Sequence, residues 1–387
     1  MRRLKVSHKA SQRIEAGHPW VYRGETRDEL AADALENVLL CDERGRLLGS
    51  ALVDAKSPVP IRLYSRKEQP FDAQFVQKRT AEALAWRRIL AIGNSTGYRL
   101  VFSEADGLPG LIVDRFGAAL ALQMTMRNYQ ALSSDLIQII EDELAGVAVK
   151  LVVSEHEGER QLLRGNIEDA STGYLLNGLE LRADLLNGPK TGAFLDQREN
   201  YLIVRNWAER LCPTGTALDL FSSSGGFALH LAQVVKHVDA VDSSPQSIST
   251  ITENAKRNDI DNIKPIRAEV KQFLRGLGQA RRRYECVIVD PPAFAKSSQQ
   301  KTEASRAYYD LNVRALSATA SAGLFVTCSC SRAISEAELL EILRQAAAEN
   351  RRTLTTLEKC RQSHDHREVV NIPETSYLKC LVFRLDQ

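Results

Sequence analysis

The stretch LDLFSSSGGFALHLA, residues 218–232, decides the fold of the largest part of this chain. It reads as a short apolar strand, a loop of small residues and the beginning of a helix. Gly225 and Gly226 would let backbone amides approach a ligand closely, and Asp219 at the strand end can accept hydrogen bonds from a cation. The spacing is not the G-x-G-x-x-G of a dinucleotide fold. A ligand-binding loop and a plain tight turn both remain open at this point.

Strand-like and helical segments alternate on both sides of this loop, from about residue 190 to the end of the chain. Strands are predicted at TALDLF (216–221), VDAVD (238–242), NIKPIRA (262–268), YECVIVD (284–290), GLFVTCS (323–329) and near the C-terminus. Helices are predicted at 225–235, 245–258, 270–277, 306–319 and 335–349. This alternation predicts a doubly wound, Rossmann-like α/β sheet, in which ligands bind beyond the carboxyl ends of the strands.

Two smaller domains are predicted before this sheet. Residues 1–70 read as short strands broken by turns, which indicates a small β domain that ends near Pro70. Residues 71–180 combine a helix at 71–92, strands around D-G and P-G turns, a helix near 129–145 and a strand at 149–155, a pattern typical of a small α+β domain. Residues 181–387 are left for the α/β domain.

Composition excludes several classes of protein. The formal net charge is only +2, but residues 1–27 contain seven Arg or Lys against two Glu, so the basic surplus is N-terminal. No apolar stretch reaches the ~18 residues of a membrane span, and we expect a cytoplasmic protein. The seven cysteines are scattered and form no C-x-x-C, which disfavours disulfides and a zinc site. His364 and His366 are interpreted as surface or structural residues rather than metal ligands.

Two acidic residues at the ends of predicted strands are further candidates for ligand binding. Asp242 ends the strand after the glycine loop, 23 residues beyond Asp219, and suits the two hydroxyls of a ribose. In VIVDPPAFAKS, residues 287–297, two prolines stop a strand abruptly and hold Asp290 at a fixed angle. Phe294 could then stack on a planar base that Asp290 hydrogen-bonds. A solvated loop Asp and a chance D-P-P-x-F loop are the alternatives.

The segment GLFVTCSCSRAIS, residues 323–335, places two thiols two residues apart. Alternation along a strand directs Cys328 and Cys330 to one face, so parity cannot choose between them. Cys330 lies nearer the carboxyl end of the strand, where such sheets bind ligands, whereas Cys328 lies deeper in the apolar run. Small buried hydrophobes are the alternative interpretation of both.

These motifs, in this order, resemble those of class I S-adenosylmethionine-dependent RNA methyltransferases. Four further segments resemble the 23S rRNA cytosine carbon-5 methyltransferases of the RlmI type: GHPWVYRGE (17–25), EADGLPGLIVDRFG (104–117), GPKTGAFLDQREN (188–200) and SYLKC (376–380). The resemblance covers nearly the whole chain. It implies an N-terminal PUA domain, a central domain, a C-terminal methyltransferase, S-adenosylmethionine as cofactor and ribosomal RNA, 23S in this family, as partner. The oligomeric state stays open, a homodimer included.

The resemblance also implies roles for individual residues. The implied cofactor-binding set is Asp219, Phe221, Ser223, Gly225, Gly226, Asp242, Ser243, Glu269, Asp290, Phe194, Gln197 and Arg198. The implied substrate-binding set is Pro291, Pro292, Phe294 and Lys296. Glu269 stands where the family usually has an Asp near the adenine, so its longer side chain requires a shifted pocket.

Cys330 and Asp290 are the implied catalytic residues. Carbon 5 of cytosine is not nucleophilic until a thiolate adds to carbon 6, and Asp290 at the ring nitrogen would stabilise the charge that builds up. Hydrogen bonds from Ser329, Ser331 or the following helix start would favour the thiolate. Another group of cytosine enzymes carries a second cysteine after the Pro of this loop, where this chain has Pro292 and then Ala293. The base that removes the carbon 5 proton is therefore not identified.

Two other functions remain open. The DPPAF motif also resembles that of amino-methylating enzymes, which act on adenine or guanine and need no thiol. A non-catalytic RNA-binding assembly factor would keep the fold with decayed cofactor motifs, whereas here all of them are present. In any of these functions the basic N-terminal domain, with Trp20 and Tyr22, could bind phosphates and stack on an unpaired base. Trp20 as a core residue is the alternative.

Overall fold

A computed structural model of the chain describes residues 1–90, 92–144, 147–156, 158–167, 170–295 and 298–386, with only the backbone at Ser298. The chain packs as two compact units, which are described separately. The first consists of Met1–Leu175, Ala183–Ala193 and His364–Thr375. The second consists of Leu176–Arg182, Phe194–Ser363 and Ser376–Gln387.

The first unit begins with a five-stranded sheet and one helix. Its elements are β1 (Arg2–Lys5), α1 (His8–Glu15), β2 (Trp20–Val21), β3 (Leu35–Cys41), β4 (Leu47–Asp54) and β5 (Ile61–Ser65), and the strand order is β1-β3-β4-β5-β2. The sequence predicts strands here but not α1, which Ser7 caps by accepting a hydrogen bond from the amide of Ala10. One of the short strands that the sequence predicts in residues 1–70 is HPWVYRGE (18–25), and within it the structure has only the two residues of β2 as a strand.

A second five-stranded sheet follows, in the order β10-β9-β8-β7-β6. Its region contains α2 (Ala73–Ile89), β6 (Gly97–Phe102), β7 (Leu111–Phe116), β8 (Ala119–Met124), α3 (Ser133–Glu143), β9 (Leu151–His156) and β10 (Glu159–Arg164). Strands β11 (Ser171–Leu176) and β12 (Leu179–Asp184) form a two-stranded sheet. The helix and strand expectations for 71–180 are confirmed, with helix ends trimmed by two to four residues.

The C-terminal segment 364–375 belongs to the first unit because Asp365 satisfies buried donors there. Arg87 Nη2 donates to the carbonyl of Asp365 at 2.7 Å, and the amide of Arg99 donates to its Oδ2 at 2.7 Å. His366 is 2% exposed beside this cluster. Within the described ranges, no group of three or more His, Cys, Asp and Glu side chains could hold a metal ion.

The second unit is a seven-stranded sheet in the order β15-β14-β13-β16-β17-β19-β18. Its strands are β13 (Thr216–Leu220), β14 (His237–Asp242), β15 (Ile263–Arg267), β16 (Tyr284–Val289), β17 (Thr319–Ser329), β18 (Thr353–Cys360) and β19 (Lys379–Asp386). Its helices are α4 (Arg198–Leu211), α5 (Gly226–Ala232), α6 (Pro245–Arg257), α7 (Val270–Ala280), α8 (Lys301–Ser317) and α9 (Glu336–Glu349). The first five strands run parallel, and β19 is antiparallel to both neighbours.

The predicted doubly wound α/β sheet is therefore confirmed, and nearly every predicted helix and strand has a counterpart. The two sheets of the first unit correspond to the expected domains at 1–70 and 71–180, but they pack in one unit that also takes residues from beyond 181. The division into three consecutive domains stays a prediction. None of the described helices combines the length and apolar character needed to cross a membrane.

Candidate active site

The candidate site lies at the carboxyl edge of the seven-stranded sheet. Strand β13 pairs with β14 on one side and β16 on the other, so the direction of winding reverses there. Ligands bind at such a reversal in open α/β sheets. The ends of β13, β14 and β16 carry Asp219, Asp242 and Asp290, and Cys330 follows the end of β17. The fold thus brings the predicted acids and the predicted nucleophile to one edge.

The loop after β13 has an unusual backbone. Phe221, Ser223 and Gly225 have φ angles of 63°, 52° and 84°, in the left-handed region that favours glycine. Two non-glycine residues in this region cost of order 1–3 kcal/mol each, and such strain concentrates at ligand-binding sites. The amide of Ser223 donates to Asp242 Oδ2 at 2.9 Å, which holds the loop in this shape.

Gly226, the first residue of α5, packs against a buried aromatic pair. A Cβ atom there would lie 2.3 Å from Tyr201 Cζ, and the ring of Tyr201 stacks on His230 at 5.1 Å. His230 hydrogen-bonds the carbonyl of Gly226 and the side chain of Asn177, and burial lowers its pKa to about 4. His230 is therefore neutral at physiological pH and fixes the glycine loop from behind.

We expect Gly226→Ala to destabilise the protein by roughly 1–3 kcal/mol, because the Tyr201 ring cannot move without disturbing its packed neighbours. Gly276→Ala is the matched control, since Gly276 lies in α7 and its added Cβ would meet nothing within 4 Å. That change should be neutral or stabilise by about 0.5–1 kcal/mol. Thermal unfolding of both variants provides the measurement, and equal stability of the two would contradict the packing argument.

Asp219 is the most perturbed acid of the site. It is 1% exposed, and its Oδ2 accepts hydrogen bonds from the Ser222 hydroxyl and from the amide of Ala228 at 3.1 Å. Burial raises the pKa of Asp219 to about 7, and the carboxylates of Asp290 and Asp242 act in the same direction. Its Oδ1 is buried and has no hydrogen-bond partner among the described residues. A positively charged ligand could donate a hydrogen bond to the unpaired oxygen and would offset the unfavourable negative charge of the carboxylate.

Asp242 is half-buried at the end of β14 and organises two backbone segments. Its Oδ2 accepts from the amide of Ser223, and its Oδ1 accepts from the amide of Ser244 at 2.9 Å. These bonds aim the carboxylate and leave further lone pairs on both oxygens for the hydroxyls of a ligand. The neighbouring Ser243 is exposed.

We expect Asp242→Ala to weaken binding of the cofactor by roughly 1–3 kcal/mol, as the loss of hydrogen bonds to a charged group does. The change also releases the amide of Ser223 and so loosens the strained loop. Asp261→Ala, at an exposed carboxylate of the same unit, is the control and should bind normally. Calorimetric titration measures both, and an unchanged affinity of Asp242→Ala would remove this residue from the site.

Asp290 follows β16 and is oriented by Gln197. Gln197 Nε2 donates to Asp290 Oδ2 at 3.1 Å, and Asn200 Nδ2 donates to Gln197 Oε1 at 2.6 Å. Gln197 is 2% exposed, so it acts on the carboxylate from inside the fold. Arg198 is equally buried and forms an ion pair with Glu199 at 3.2 Å.

Phe194 is half-buried, and its carbonyl accepts a hydrogen bond from the Tyr201 hydroxyl. Its contact with cofactor stays a prediction, as do those of Gln197 and Arg198. Glu269 has a role that the sequence analysis missed: its Oε2 caps α7 by accepting from the amide of Gln272 at 2.9 Å. N-cap positions prefer Ser, Thr, Asp and Asn, so a glutamate at residue 269 does not indicate a helix cap in the sequence.

The proline loop after Asp290 presents one aromatic ring. Pro291 is buried and Pro292 exposed, while the half-buried Phe294 meets the ring of Tyr308 edge-on at 4.8 Å. Lys296, predicted to contact substrate, lies outside the described residues. The substrate-binding roles of this loop remain predictions.

The two thiols of TCSCS differ in their surroundings. Cys328 is 0% exposed within β17, where it pairs with Cys380 of β19, and burial raises its pKa well above that of an ordinary thiol. The sequence predicts that strand alternation directs Cys330 to the same face as Cys328. Strand β17 ends at Ser329, however, so alternation does not set the direction of the Cys330 side chain. Cys330 is half-buried just beyond the strand. Exposure and position both favour Cys330 as the reactive thiol.

A buried hydroxyl network surrounds this end of β17. The Ser329 hydroxyl donates to the Tyr308 hydroxyl at 2.9 Å, and Tyr308 and Ser331 share a hydrogen bond of 3.1 Å. The amide of Ala295 donates to Ser331 Oγ at 3.4 Å, which ties the proline loop to the cysteine turn. Ser329 and Ser331 are fully buried and bonded to Tyr308, and their expected role toward the thiolate stays a prediction. Tyr308 was missed because its place on an apolar helix face resembles an ordinary core position.

Comparison with known proteins identifies the family of this chain. A family model for a PUA-like domain matches residues 4–66, and one for RNA cap guanine-N2 methyltransferase matches residues 214–383. The chain is 30% identical to ribosomal RNA large subunit methyltransferase I of Salmonella arizonae, covering 99% of this chain and 97% of that protein. The corresponding protein of Citrobacter koseri is 29% identical, with 99% of both chains covered. The chain belongs to the ribosomal RNA large subunit methyltransferase I family.

Solved structures share the fold of this family member. A chain from Streptococcus mutans, described as a candidate SAM-dependent methyltransferase, covers 99% of this chain and 100% of its own, with a TM-score of 0.85 and 18% identity. A crystal structure described as a candidate methyltransferase complexed with SAH gives a TM-score of 0.86 at 19% identity over the same shares. The expectations of an N-terminal PUA-like domain and an S-adenosylmethionine-dependent methyltransferase are confirmed.

The residues at the candidate site of this ribosomal RNA large subunit methyltransferase I family member suit S-adenosylmethionine. The cofactor carries a sulfonium and an ammonium group, and the site offers three neighbouring carboxylates, Asp219, Asp242 and Asp290. The orphaned Oδ1 of Asp219 is a buried acceptor that a cationic donor would satisfy. In the free protein the charges of Asp290 and Asp242 disfavour ionisation of Asp219, so binding of positive charge relieves a repulsion that the fold itself maintains.

Proposed function

We propose that this protein methylates carbon 5 of a cytosine in large-subunit ribosomal RNA, 23S in bacteria, with Cys330 as covalent nucleophile. The curated relatives are named ribosomal RNA large subunit methyltransferases, which supports the RNA class. The observation that carries the chemistry is the placement of a half-buried thiol directly beyond β17, in a turn that Ser331 ties to the proline loop through Ala295. We also expect the protein to act in the cytoplasm, where ribosomal RNA is made.

In this mechanism bound S-adenosylmethionine supplies an electrophilic methyl group. The Cys330 thiolate forms a bond to carbon 6, which breaks the carbon 5 to carbon 6 double bond and places an electron pair at carbon 5. Asp290, aimed by Gln197, must carry a proton in this step, so that it can donate a hydrogen bond to the ring nitrogen and stabilise the negative charge that develops there. After carbon 5 carries the methyl group, its proton leaves to a base. The electron pair of that C–H bond restores the double bond and expels the Cys330 thiolate.

A second candidate is methylation of an exocyclic amine of guanine or adenine. The family model that matches residues 214–383 describes a guanine-N2 methyltransferase, and the D-P-P-x-F loop after β16 fits such a base as well. An amine already has a usable lone pair, so this reaction needs no thiol. Dependence on Cys330 therefore separates the two candidates.

Product analysis tests the proposal directly. Ribosomal RNA from cells that lack the protein would be incubated with the purified protein and methyl-labelled S-adenosylmethionine, then digested to nucleosides. The expected labelled product is 5-methylcytidine. Label in N2-methylguanosine or N6-methyladenosine would instead establish the second candidate, and RNA binding without any label would indicate an assembly factor.

The basic N-terminal surface is proposed to contribute RNA affinity rather than chemistry. Trp20 is half-buried, and its indole nitrogen donates to Glu104 Oε1 at 2.8 Å, while Arg127 binds Asp54. Residues 1–70 thus pack on residues that follow them, and deleting them would expose these partners. Substitution of exposed charges is therefore the better test.

We expect the double change Arg3→Glu and Lys9→Glu, at two exposed positions, to weaken RNA binding and to flatten its salt dependence. Loss of two phosphate contacts reduces the slope of log affinity against log salt by about 1.4 for single-stranded RNA. Cofactor affinity should not change. Arg275→Glu, an exposed residue of α7, is the control, and a loss of RNA affinity as large as that of the double variant would move the RNA surface elsewhere.

A further inference from the structure

The turn after β17, residues 330–335, is held in place by a lysine from the neighbouring strand. Lys379 is the first residue of β19 and pairs with Ser329 across the sheet. Its Nζ donates to the carbonyls of Ser331 at 2.9 Å and Ile334 at 2.7 Å. Two of its three N–H bonds are thereby fixed to the turn that begins at Cys330, and its ammonium group sits half-buried at the same edge of the sheet.

The charged groups around this ammonium come from several elements. Cys330, Glu336 and Glu338 present negative charge to it, and Arg361, which follows β18, presents positive charge. The two glutamates have their own cations: Glu338 pairs with Lys301, and Glu336 pairs with Lys359 at 3.3 Å and Arg361 at 3.6 Å. Burial lowers the pKa of Lys379, and the negative charge of Cys330 opposes that shift.

Cys330 and Asp290 both act electrostatically on Tyr308. Their negative charges disfavour ionisation of the Tyr308 hydroxyl. The hydroxyls of Ser329 and Ser331 are bonded to Tyr308, and the first turn of α9 is capped by its own Ser335 and Glu338. Lys379 donates from its ammonium group to two carbonyls of this turn, so a positive charge is fixed directly to it.

We propose that Lys379 is a positioning residue that fixes the turn bearing Cys330 and favours the thiolate form of that cysteine. This inference rests on the proposed function, in which Cys330 is the nucleophile. Electrostatic attraction is mutual, so a cation that a thiolate stabilises also stabilises the thiolate. A nearby Lys or Arg is one of the recognised causes of a reactive cysteine.

The first test measures the pH at which the Cys330 thiol becomes reactive, and it needs no RNA. In a Cys328→Ala background, iodoacetamide labelling of Cys330 is followed by mass spectrometry as a function of pH. We expect Lys379→Met to move the pH midpoint of labelling up by about one unit, which is about tenfold slower labelling at neutral pH. Lys379→Arg should stay near the parent, because it retains the charge. Lys359→Met, which removes an ammonium from the adjacent strand β18, is the matched control and should leave the midpoint unchanged.

Methylation kinetics complete the test. We expect Lys379→Met to lower kcat at neutral pH about tenfold, with recovery as the pH rises, and with unchanged affinity for S-adenosylhomocysteine as the sign of an intact cofactor site. An unchanged labelling midpoint would overturn the proposal. Together with lower activity it would give Lys379 a structural role only, and together with full activity it would give Lys379 no role in the reaction. An active Cys330→Ala enzyme would overturn the proposed function instead, while the labelling midpoint would still report on Lys379.

Discussion

Replacement of Cys330 by alanine is expected to abolish methylation, by at least roughly a thousandfold, because without the thiolate carbon 5 of cytosine has no nucleophilic character. Cofactor binding should be unchanged, since Asp219 and the glycine loop belong to β13 and its following loop and Asp242 belongs to β14, whereas Cys330 follows β17. Cys328→Ala is the matched control, a thiol only two residues away but fully buried. It should cost roughly 1 kcal/mol of stability and leave methylation largely intact.

RNA that contains 5-fluorocytosine makes the same prediction visible as a covalent product. Fluorine at carbon 5 cannot leave as a proton does, so the enzyme should remain attached to the RNA through Cys330 and survive denaturation. The Cys328→Ala enzyme should form this adduct, and the Cys330→Ala enzyme should not. Full activity of Cys330→Ala would exclude the covalent mechanism and favour methylation of an exocyclic amine.

Asp219→Asn is expected to weaken cofactor binding and yet stabilise the free protein. The wild-type carboxylate has a pKa of about 7 in the fold, against 3.8 when it is exposed to water. Its folded pKa is raised, so folding loses stability as the pH increases from about 4 through 7, by roughly 4 kcal/mol in total. Asparagine can accept the same hydrogen bonds from Ser222 and Ala228 without the buried charge. The melting temperature of the variant should therefore exceed that of wild type at pH 8, and the difference should shrink at pH 5.

The cofactor affinity of wild type should depend on pH for the same reason. Positive charge bound beside Asp219 favours its ionised form, so binding releases a proton below about pH 7, and affinity should rise about tenfold between pH 6 and pH 8. Asp219→Asn should lose this dependence and bind roughly 10 to 100 times more weakly at pH 8. Calorimetry in buffers of different ionisation enthalpy measures both the affinity and the proton release. A wild-type affinity that is flat over this range would contradict the assignment of Asp219 to the cofactor site.

Local sequence determined the elements of the site and their order. The apolar run before Asp219, the glycines at 225 and 226 and the double proline after Asp290 each specify how one strand ends, because residues a few positions apart control those backbone angles. Alternation of strands and helices then places all such ends on one edge of a parallel sheet. Helix α1 escaped prediction because eight residues offer little more than two turns of periodicity, and its cap at Ser7 was the only strong signal.

Tertiary structure alone decided which side chains act on that edge. Lys379 reaches the cysteine turn only because β19 inserts antiparallel between β17 and β18. The paired residues of β17 and β19 are 50 to 60 positions apart, and no local pattern encodes such a pairing. Gln197 likewise meets Asp290 from 93 positions away, and Tyr308 meets Ser331 from 23. The sequence by itself indicated the candidate nucleophile and the candidate acids, since strand ends are local properties. Their ionisation and orientation depend on burial and on partners from distant strands, which exist only once the chain has folded.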